Sequence, residues 1–134
     1  QVLMRECDLL GHMNIQFYTA RVSLGMSNMI YLIGMVREDL QGSRRGLAAI
    51  QQENRYLAEL KAGDIIHMES AVVGCSNKTV TLNHRLFNSA DGTLAFTNRT
   101  TSVYMDLDSR KAVPLSDAMR EKVREMMVEG EDAA

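Results

Sequence analysis

One segment of this chain, Ile15 to Ile33, has the pattern of a long helix that is buried on most of its circumference. Apolar residues recur in it at three- and four-residue intervals. The main stripe consists of Phe17, Tyr18, Val22, Met26, Met29, Ile30 and Ile33. Asn14 is a good N-cap because its short side chain can accept hydrogen bonds from the first turn, and Gly34 is placed to end the helix. The rest of the chain must therefore supply the surface that covers this helix.

The sequence changes from a helical to an extended period after the polar loop 41–46. Four strand candidates follow: Leu47–Leu57, Asp64–Gly74, Thr79–Phe87 and Thr93–Leu107. Turn signals at 61–64 and 88–92 separate them, the second because Asp-Gly tolerates the positive φ of a tight reversal. Consecutive strands with no helix between them predict an antiparallel sheet that curves around the helix.

Further elements are predicted near the ends of the chain. Val2–Glu6 is predicted to be a first strand, which brings the sheet to about five strands, and Met35–Leu40 is predicted to continue as a helical turn. Ser116 is expected to cap a C-terminal helix. Its apolar stripe would be Met119, Val123, Met126 and Met127. We expect one α+β domain over residues 1–129 and a frayed acidic tail over 130–134.

Composition excludes several classes of protein. A chain of 134 residues suits one domain, and 46% hydrophobic residues can form a core. The net charge of -2 provides no general field for nucleic acid. The apolar run 26–36 is shorter than the roughly 20 residues that cross a bilayer, so we expect no membrane partner. Cys7 and Cys75 form neither a metal motif nor a disulfide framework, and no targeting segment is recognised; the expected compartment is the cytoplasm.

The loop directly before the helix concentrates chemically active groups. Asp8, Gly11, His12 and Asn14 lie within seven consecutive residues. A helix start also offers unpaired N–H donors, so such a loop can build an anion site or a catalytic site. Asp8 could equally be a loop residue that only caps the helix.

The order Asp8-Leu-Leu-Gly11-His12-Met-Asn14-Ile-Gln-Phe-Tyr18 resembles the Asp-x-x-Gly-His-x-Asn-x-x-x-Tyr signature of hotdog-fold acyl-CoA thioesterases of the 4-hydroxybenzoyl-CoA thioesterase type. The resemblance covers nearly the whole chain. It continues through Tyr56-Leu57 to Gly63-Asp64, through Ala90-Asp91-Gly92, and through Val103-Tyr104-Met105-Asp106. It implies a hotdog fold, in which about five antiparallel strands wrap around one long helix. It also implies a homodimer with active sites between the subunits, and leaves open whether dimers pair into tetramers.

The resemblance further implies roles for individual residues. The acid at the position of Asp8 acts on the thioester carbonyl, as nucleophile or as the base that activates water. The main-chain N–H at the helix start, here that of Ile15, polarises the carbonyl oxygen. Helix N-terminal donors suit this task because they stabilise the oxyanion that forms during attack. Many family members have a polar residue, often Asn or His, where this chain has Ile15, so only the main chain can serve there.

The other loop residues have more than one interpretation. His12 is predicted to hold Asp8 or the loop backbone by a hydrogen bond, or to contact the substrate. Asn14 is predicted to cap the helix, although its carboxamide could orient water or the thioester. Tyr18 is predicted to pack in the core, with its hydroxyl reaching a partner or the substrate.

Basic residues elsewhere are candidates for the phosphates of coenzyme A, whose charge favours guanidinium and ammonium groups. They are Arg44, Arg45, Lys78 and Arg99, each of which could equally be a solvated surface charge. His67 and His84 each stand alone in a strand pattern, so we predict surface or sheet-face residues and no metal site.

The sequence therefore predicts an acyl-CoA thioesterase that hydrolyses its substrate with water and without a cofactor. One alternative is a hotdog enoyl-CoA hydratase, which would use an Asp and a His together. The other is a hotdog domain that binds acyl-CoA without catalysis. The sequence does not indicate the acyl chain.

Overall fold

The structure is a computed structural model that describes residues 1–35 and 42–128. These residues form α1 (Ile15–Ile33), β1 (Arg45–Tyr56), β2 (Ile66–Cys75), β3 (Thr79–Asn88), β4 (Leu94–Asp106) and α2 (Asp117–Met126). The strands form one antiparallel sheet in the order β1-β4-β3-β2, so β1 and β2 are its two edges. The predicted α+β class and the four consecutive antiparallel strands are confirmed.

Both helices begin at the predicted caps. The Asn14 side chain accepts a hydrogen bond from the Gln16 N–H at 3.2 Å, and Gly34 ends α1 in the left-handed conformation with φ 104°. At α2, the Ser116 hydroxyl accepts from the Met119 N–H at 3.2 Å. Met127, predicted to belong to the stripe of this helix, lies just after it and bridges to β2.

The predicted strand Val2–Glu6 is wrong, because Met4–Glu6 forms a single 3-10 turn. The Glu6 carboxylate folds back to accept the Leu3 N–H at 2.8 Å and pairs with both terminal nitrogens of Arg21 at 2.7 and 2.9 Å. Within residues 1–35 and 42–128 the sheet consequently has four strands, and not the expected five. Of the predicted helical turn Met35–Leu40, the structure describes only Met35, which is not helical, and the boundary at 129 and the acidic tail 130–134 lie outside the described residues.

The helix α1 packs on one face of the sheet through two separate apolar clusters. The cluster under the start of α1 contains Tyr18, Val22, Leu60, Leu86 and Phe96 among its buried members. The cluster under the end of α1 and beside α2 contains Met29, Ile33, Val72, Leu82, Leu115, Met119 and Val123. The core that holds α1 in place is therefore not one continuous apolar layer.

A row of polar side chains crosses the sheet between these clusters, and we call it the polar belt: Ser70, His84, Asn98 and Asn54. Each strand contributes one member, and the four residues are direct partners in the ladder. The Ser70 hydroxyl lies 2.7 Å from His84 Nδ1, and Asn98 Nδ2 donates to Asn54 Oδ1 at 2.6 Å. The belt is thus hydrogen-bonded at both ends.

His84 is fully buried, so of its two predicted placements, at the surface or on a sheet face, the sheet face is the correct one. It shares the helix-facing side of β3 with Leu82 and Leu86, because alternate residues of a strand face the same way. Its Nε2 has no hydrogen-bond partner among the described residues. Gly25 of α1 lies directly above, where an added Cβ would come within 3.0 Å of His84 Nδ1 and 2.8 Å of Met68 Sδ. Glycine therefore lets the helix approach the belt this closely.

Candidate active site

The loop between the 3-10 turn and α1 is closed by its own main chain. Cys7 bridges to Met13, the Asp8 N–H donates to the His12 carbonyl at 3.2 Å, and the Gly11 N–H donates to the Asp8 carbonyl at 3.0 Å. Gly11 has φ 86°, a conformation that glycine adopts without the steric cost of a side chain. The result is a compact turn that presents Asp8 next to the start of the helix.

The Asp8 carboxylate is held on both oxygens. Its Oδ2 accepts from Asn14 Nδ2 at 2.8 Å, and its Oδ1 accepts from the Leu10 N–H at 2.9 Å. These hydrogen bonds, that from Asn14 first, lower the pKa of Asp8 below its ordinary value. Asp8 is therefore ionised at neutral pH and fixed in direction.

Asn14 connects this carboxylate to the helix. While Nδ2 donates to Asp8, Oδ1 caps the first turn of α1, so one side chain has both functions. The predicted cap is confirmed, and the contact with Asp8, which the sequence did not predict, is made by Asn14 and not by the His12 side chain.

We expect Asn14→Ser to shift the acid limb of the pH–rate profile upward. Serine retains capping ability, but its shorter side chain cannot donate to Asp8 as Asn14 does. Removing that donor raises the pKa of Asp8, so activity would be lost at a higher pH than in the wild type. The profile of kcat/KM below pH 6 for the acyl-CoA hydrolysis that the sequence predicts, with circular dichroism to verify folding, measures the shift. An unchanged acid limb would contradict a role of Asn14 in setting the ionisation of Asp8.

The main-chain N–H of Ile15 is the first of α1 and has no acceptor among the described residues. Its side chain is 62% exposed, so the helix start is open to solvent on this side. The positive end of the helix dipole adds to the attraction that such a donor has for negative charge. Ile15 thus offers an available donor one residue after the side chain that holds Asp8.

A cavity of about 240 Å³ opens beside this donor. It is lined by His12, Met13, Ile15, Tyr18, Tyr56, Leu57, Ala58 and Glu59. The Met13 N–H donates to the Leu60 carbonyl at 2.7 Å, which ties the loop to the segment that follows β1. In the sequence, Tyr56 and Leu57 are recognised only as part of a motif, and no pattern predicts that this segment faces the helix start.

His12 lies on the wall of this cavity and not against the Asp8 carboxylate. Its Nε2 is 3.8 Å from Glu59 Oε1, and within the described part of the chain its imidazole makes no hydrogen bond to Asp8. The His12 main chain does support the loop, since its carbonyl accepts the Asp8 N–H. Of the predicted alternatives, the main chain of His12 supports the loop, and its imidazole ring lies at the cavity.

Tyr18 packs in the core, as predicted, and is 3% exposed. Its ring meets Tyr56 edge-on, with centroids 5.2 Å apart, and Phe96 at 4.9 Å. Burial raises the pKa of Tyr18, so its hydroxyl stays neutral. Tyr18 and Tyr56 line the cavity, and Phe96 packs behind them.

The basic candidates lie away from the loop within one chain. Arg44 pairs with Asp108 at 3.1 Å, and Arg45 pairs with Asp106 at 3.1 Å. Arg45 is the first residue of β1, whereas the cavity lies at the other end of this 12-residue strand. At 3.3 Å per residue, the two ends of the strand are roughly 36 Å apart. The Lys78 carbonyl accepts from Tyr104 near the Arg45 end. The structure therefore does not bring these residues to the loop of the same chain.

The last basic candidate, Arg99, lies on the sheet surface, as does His67. Arg99 is exposed in the middle of β4, opposite Glu53 of β1. His67 is exposed, as predicted, with its Nδ1 2.7 Å from the Ser89 hydroxyl and its ring stacked on Phe87. In residues 1–35 and 42–128, no three His, Cys, Asp or Glu side chains are grouped as metal ligands. None of the helices in these ranges has the length and apolar character that a bilayer crossing needs.

Comparison with known proteins gives one family and several similar folds. Residues 2–123 match the model of a family described as the thioesterase-like superfamily. A hypothetical protein from Staphylococcus aureus, solved in complex with CoA, has a TM-score of 0.86 at 20% identity, over 97% of this chain and 85% of that chain. A 1,4-dihydroxy-2-naphthoyl-CoA thioesterase from Synechocystis has a TM-score of 0.80 at 13% identity, over 93% and 92% of the two chains. A probable thioesterase from Escherichia coli has a TM-score of 0.76 at 17% identity, over 95% of each chain. No curated protein matches the sequence.

Proposed function

Because the chain belongs to the thioesterase-like superfamily, we propose that it hydrolyses acyl-CoA thioesters to a free acid and coenzyme A. The observation that carries the proposal is the arrangement at the start of α1. There, an ionised Asp8 is held by the residue that directly precedes the available Ile15 N–H. The similar Staphylococcus aureus protein was solved with CoA, which supports a ligand of this chemical class.

In the proposed reaction, the thioester carbonyl oxygen accepts a hydrogen bond from the Ile15 N–H. Negative charge grows on this oxygen during attack, and the helix start stabilises it; the loss of one such donor typically costs about 3–4 kcal/mol. The donor belongs to the main chain, so the apolar side chain of Ile15 does not impair it.

Asp8 then acts in one of two ways. Its carboxylate attacks the carbonyl carbon to form an anhydride that water hydrolyses, or it accepts a proton from the water molecule that attacks. In both routes the carbon–sulfur bond breaks, its electron pair leaves with sulfur, and the CoA thiolate takes a proton. One water molecule is consumed, and no cofactor is needed.

The neighbouring residues have supporting roles in this proposal. Asn14 positions Asp8, His12 contacts the substrate from the cavity wall beside Glu59, and Tyr18 forms part of the wall that packs against the acyl group. The cytoplasm is the compartment in which we propose that the activity operates.

We also propose a homodimer formed through the open edge of β1. This edge strand has no neighbour on its outer side within the described residues, and it displays Ile50, which is 62% exposed. An unpaired edge of 12 residues is a ready template for another strand. Sedimentation equilibrium should give the mass of two chains or, if dimers pair, of four, whereas the mass of one chain would contradict the proposal.

Such a dimer would also bring the basic candidates to the site. In an antiparallel pairing about a twofold axis near the middle of β1, Arg45 of the partner subunit comes opposite Tyr56. Arg44 of the partner subunit follows at the same end, so both could meet the CoA phosphates at the cavity. Lys78 and Arg99 are further candidates that we place along the path of the CoA.

A thiol-release assay with purified protein tests the proposed activity. A panel of short, medium, long and aromatic acyl-CoAs should yield free CoA and free acid. Hydration of an enoyl-CoA in place of hydrolysis would indicate the hydratase alternative. Tight acyl-CoA binding with no release of thiol across the panel would indicate the binding domain. Either result would overturn the proposed function.

A further inference from the structure

We propose that Tyr56 limits the length of the acyl group that the cavity accepts. The inference rests on the proposed thioesterase function and concerns the same site. It follows from the size of the cavity, from the way the Tyr56 ring is held, and from what lies beyond it.

The cavity is lined by Ile15, whose N–H would bind the thioester carbonyl, and by Tyr18 and Tyr56. An acyl group attached to that carbonyl therefore enters the cavity. Its volume is about 240 Å³, whereas a closed apolar cavity of about 150 Å³ already holds benzene. The space suits one ring or a short chain. A longer chain presses against the rings of Tyr18 and Tyr56 or leaves through the open side of the cavity, where its apolar surface stays in water.

Tyr56 is the part of the cavity wall that substitution can open. Tyr18 is 3% exposed and Phe96 is fully buried, so both rings belong to the core. Tyr56 is 48% exposed, and its centroid lies 5.2 Å from each of these two rings. Within one chain, the Tyr56 ring packs against these two rings and is uncovered on its other side, and in the proposed dimer the partner subunit's strand lies beside it. Its loss would therefore enlarge the cavity without leaving a hole in the core of the chain.

The polar belt limits how far an enlarged cavity could extend. Asn54 lies two residues before Tyr56 on the same face of β1, and Asn98 lies two residues after Phe96 on β4. The Asn54 side-chain oxygen Oδ1 accepts from Asn98 Nδ2, and Asn98 Oδ1 accepts from the Thr100 hydroxyl at 2.6 Å. An aliphatic chain that passed Tyr56 would cover the exposed Asn54 amide without offering it a hydrogen bond, which is unfavourable. Removal of the ring should therefore admit a medium chain, but not the longest ones.

The test is to measure kcat/KM for butanoyl-, benzoyl-, octanoyl- and hexadecanoyl-CoA. The wild type should prefer butanoyl- or benzoyl-CoA. In Tyr56→Ala the ratio of octanoyl to butanoyl activity should rise roughly tenfold or more, with hexadecanoyl-CoA still a poor substrate. Tyr56→Phe keeps the ring and should retain the wild-type profile. Tyr56→Leu, which keeps an apolar side chain of shorter reach, should shift the profile in the same direction as Tyr56→Ala.

Tyr31→Ala is the matched control, because Tyr31 lies on α1 outside the cavity and is 67% exposed. It should leave the chain-length profile unchanged. This inference would be overturned, with thioesterase activity intact, if Tyr56→Ala and Tyr56→Leu had the same chain-length profile as Tyr31→Ala. A wild-type preference for hexadecanoyl-CoA would also overturn it. Failure of the wild type to hydrolyse any acyl-CoA would instead overturn the proposed function, and the inference with it.

Discussion

Asp8→Asn is expected to lower kcat/KM for acyl-CoA hydrolysis by about 10²–10⁴-fold, the usual contribution of a positioned acid or base. Asparagine has nearly the shape of aspartate, but it neither attacks a carbonyl as an anion nor accepts a proton from water. The Asp8 carboxylate is held by Asn14 and by the Leu10 N–H, so its direction is already set before substrate binds. Release of free thiol under steady-state conditions measures the loss.

Asp91→Asn provides the matched control for this substitution. Asp91 lies in the turn between β3 and β4, and its Oδ1 accepts from the Thr93 N–H at 2.9 Å. That hydrogen bond lowers the pKa of Asp91, as those at Asp8 lower the pKa of Asp8. Asp91→Asn should hydrolyse acyl-CoA at the wild-type rate. Equal turnover of Asp8→Asn and the wild type would contradict the role of Asp8.

The second large effect is expected in the stability of the protein toward acid. Burial lowers the pKa of His84 to about 4, from an ordinary value of 6.5. Its partners in the ladder, Ser70 and Asn98, carry no charge that could compensate a proton on the ring. Between pH 6.5 and 4 the unfolded chain binds this proton and the folded chain does not, so the free energy of unfolding falls as the pH falls. A difference of about 2.5 between the two pKa values corresponds to about 3 kcal/mol in the free energy of unfolding, which the protein has above pH 6.5 and loses by pH 4.

Urea unfolding at several pH values between 7 and 4 measures this loss. In His84→Gln the same range should show a smaller decline, because the residue that titrates in the core has been removed. His67→Gln is the matched control, since His67 is exposed, and it should retain the wild-type decline. Parallel pH profiles for His84→Gln and the wild type would show that His84 does not set the acid sensitivity.

The elements that the sequence predicted correctly depend on local patterns. The bounds of α1 follow from its apolar period together with Asn14 and Gly34, and the strands follow from alternation and turn residues. The hotdog fold expected from the motif of the first loop is confirmed. The specific 4-hydroxybenzoyl-CoA thioesterase type stays a prediction, as do the catalytic roles of Asp8 and Ile15.

The errors arose where a residue depends on a distant partner. Glu6 forms a turn and not a strand because it pairs with Arg21, fifteen residues away. The alternation of Leu82, His84 and Leu86 puts His84 on the apolar face of β3, but its complete burial depends on the strands on each side and on the helix above. Tyr56 reaches the cavity through its pairing with Phe96, forty positions later. Sequence patterns report periodicity, whereas these three placements depend on tertiary contacts.

The polar belt also determines which of several pairings the sheet can adopt. If the register between β2 and β3 shifted by one residue, His84 would turn to the outer face, whereas a shift of two residues would keep every apolar side chain facing the helix. The shift of two would, however, place His84 opposite Met68 or Val72 and leave the Ser70 hydroxyl beside an apolar side chain. The belt thus distinguishes pairings that apolar alternation alone leaves nearly equivalent. Through the bond from Asn98 to Asn54, the same alignment extends to β1 and brings Tyr56 level with the start of the helix.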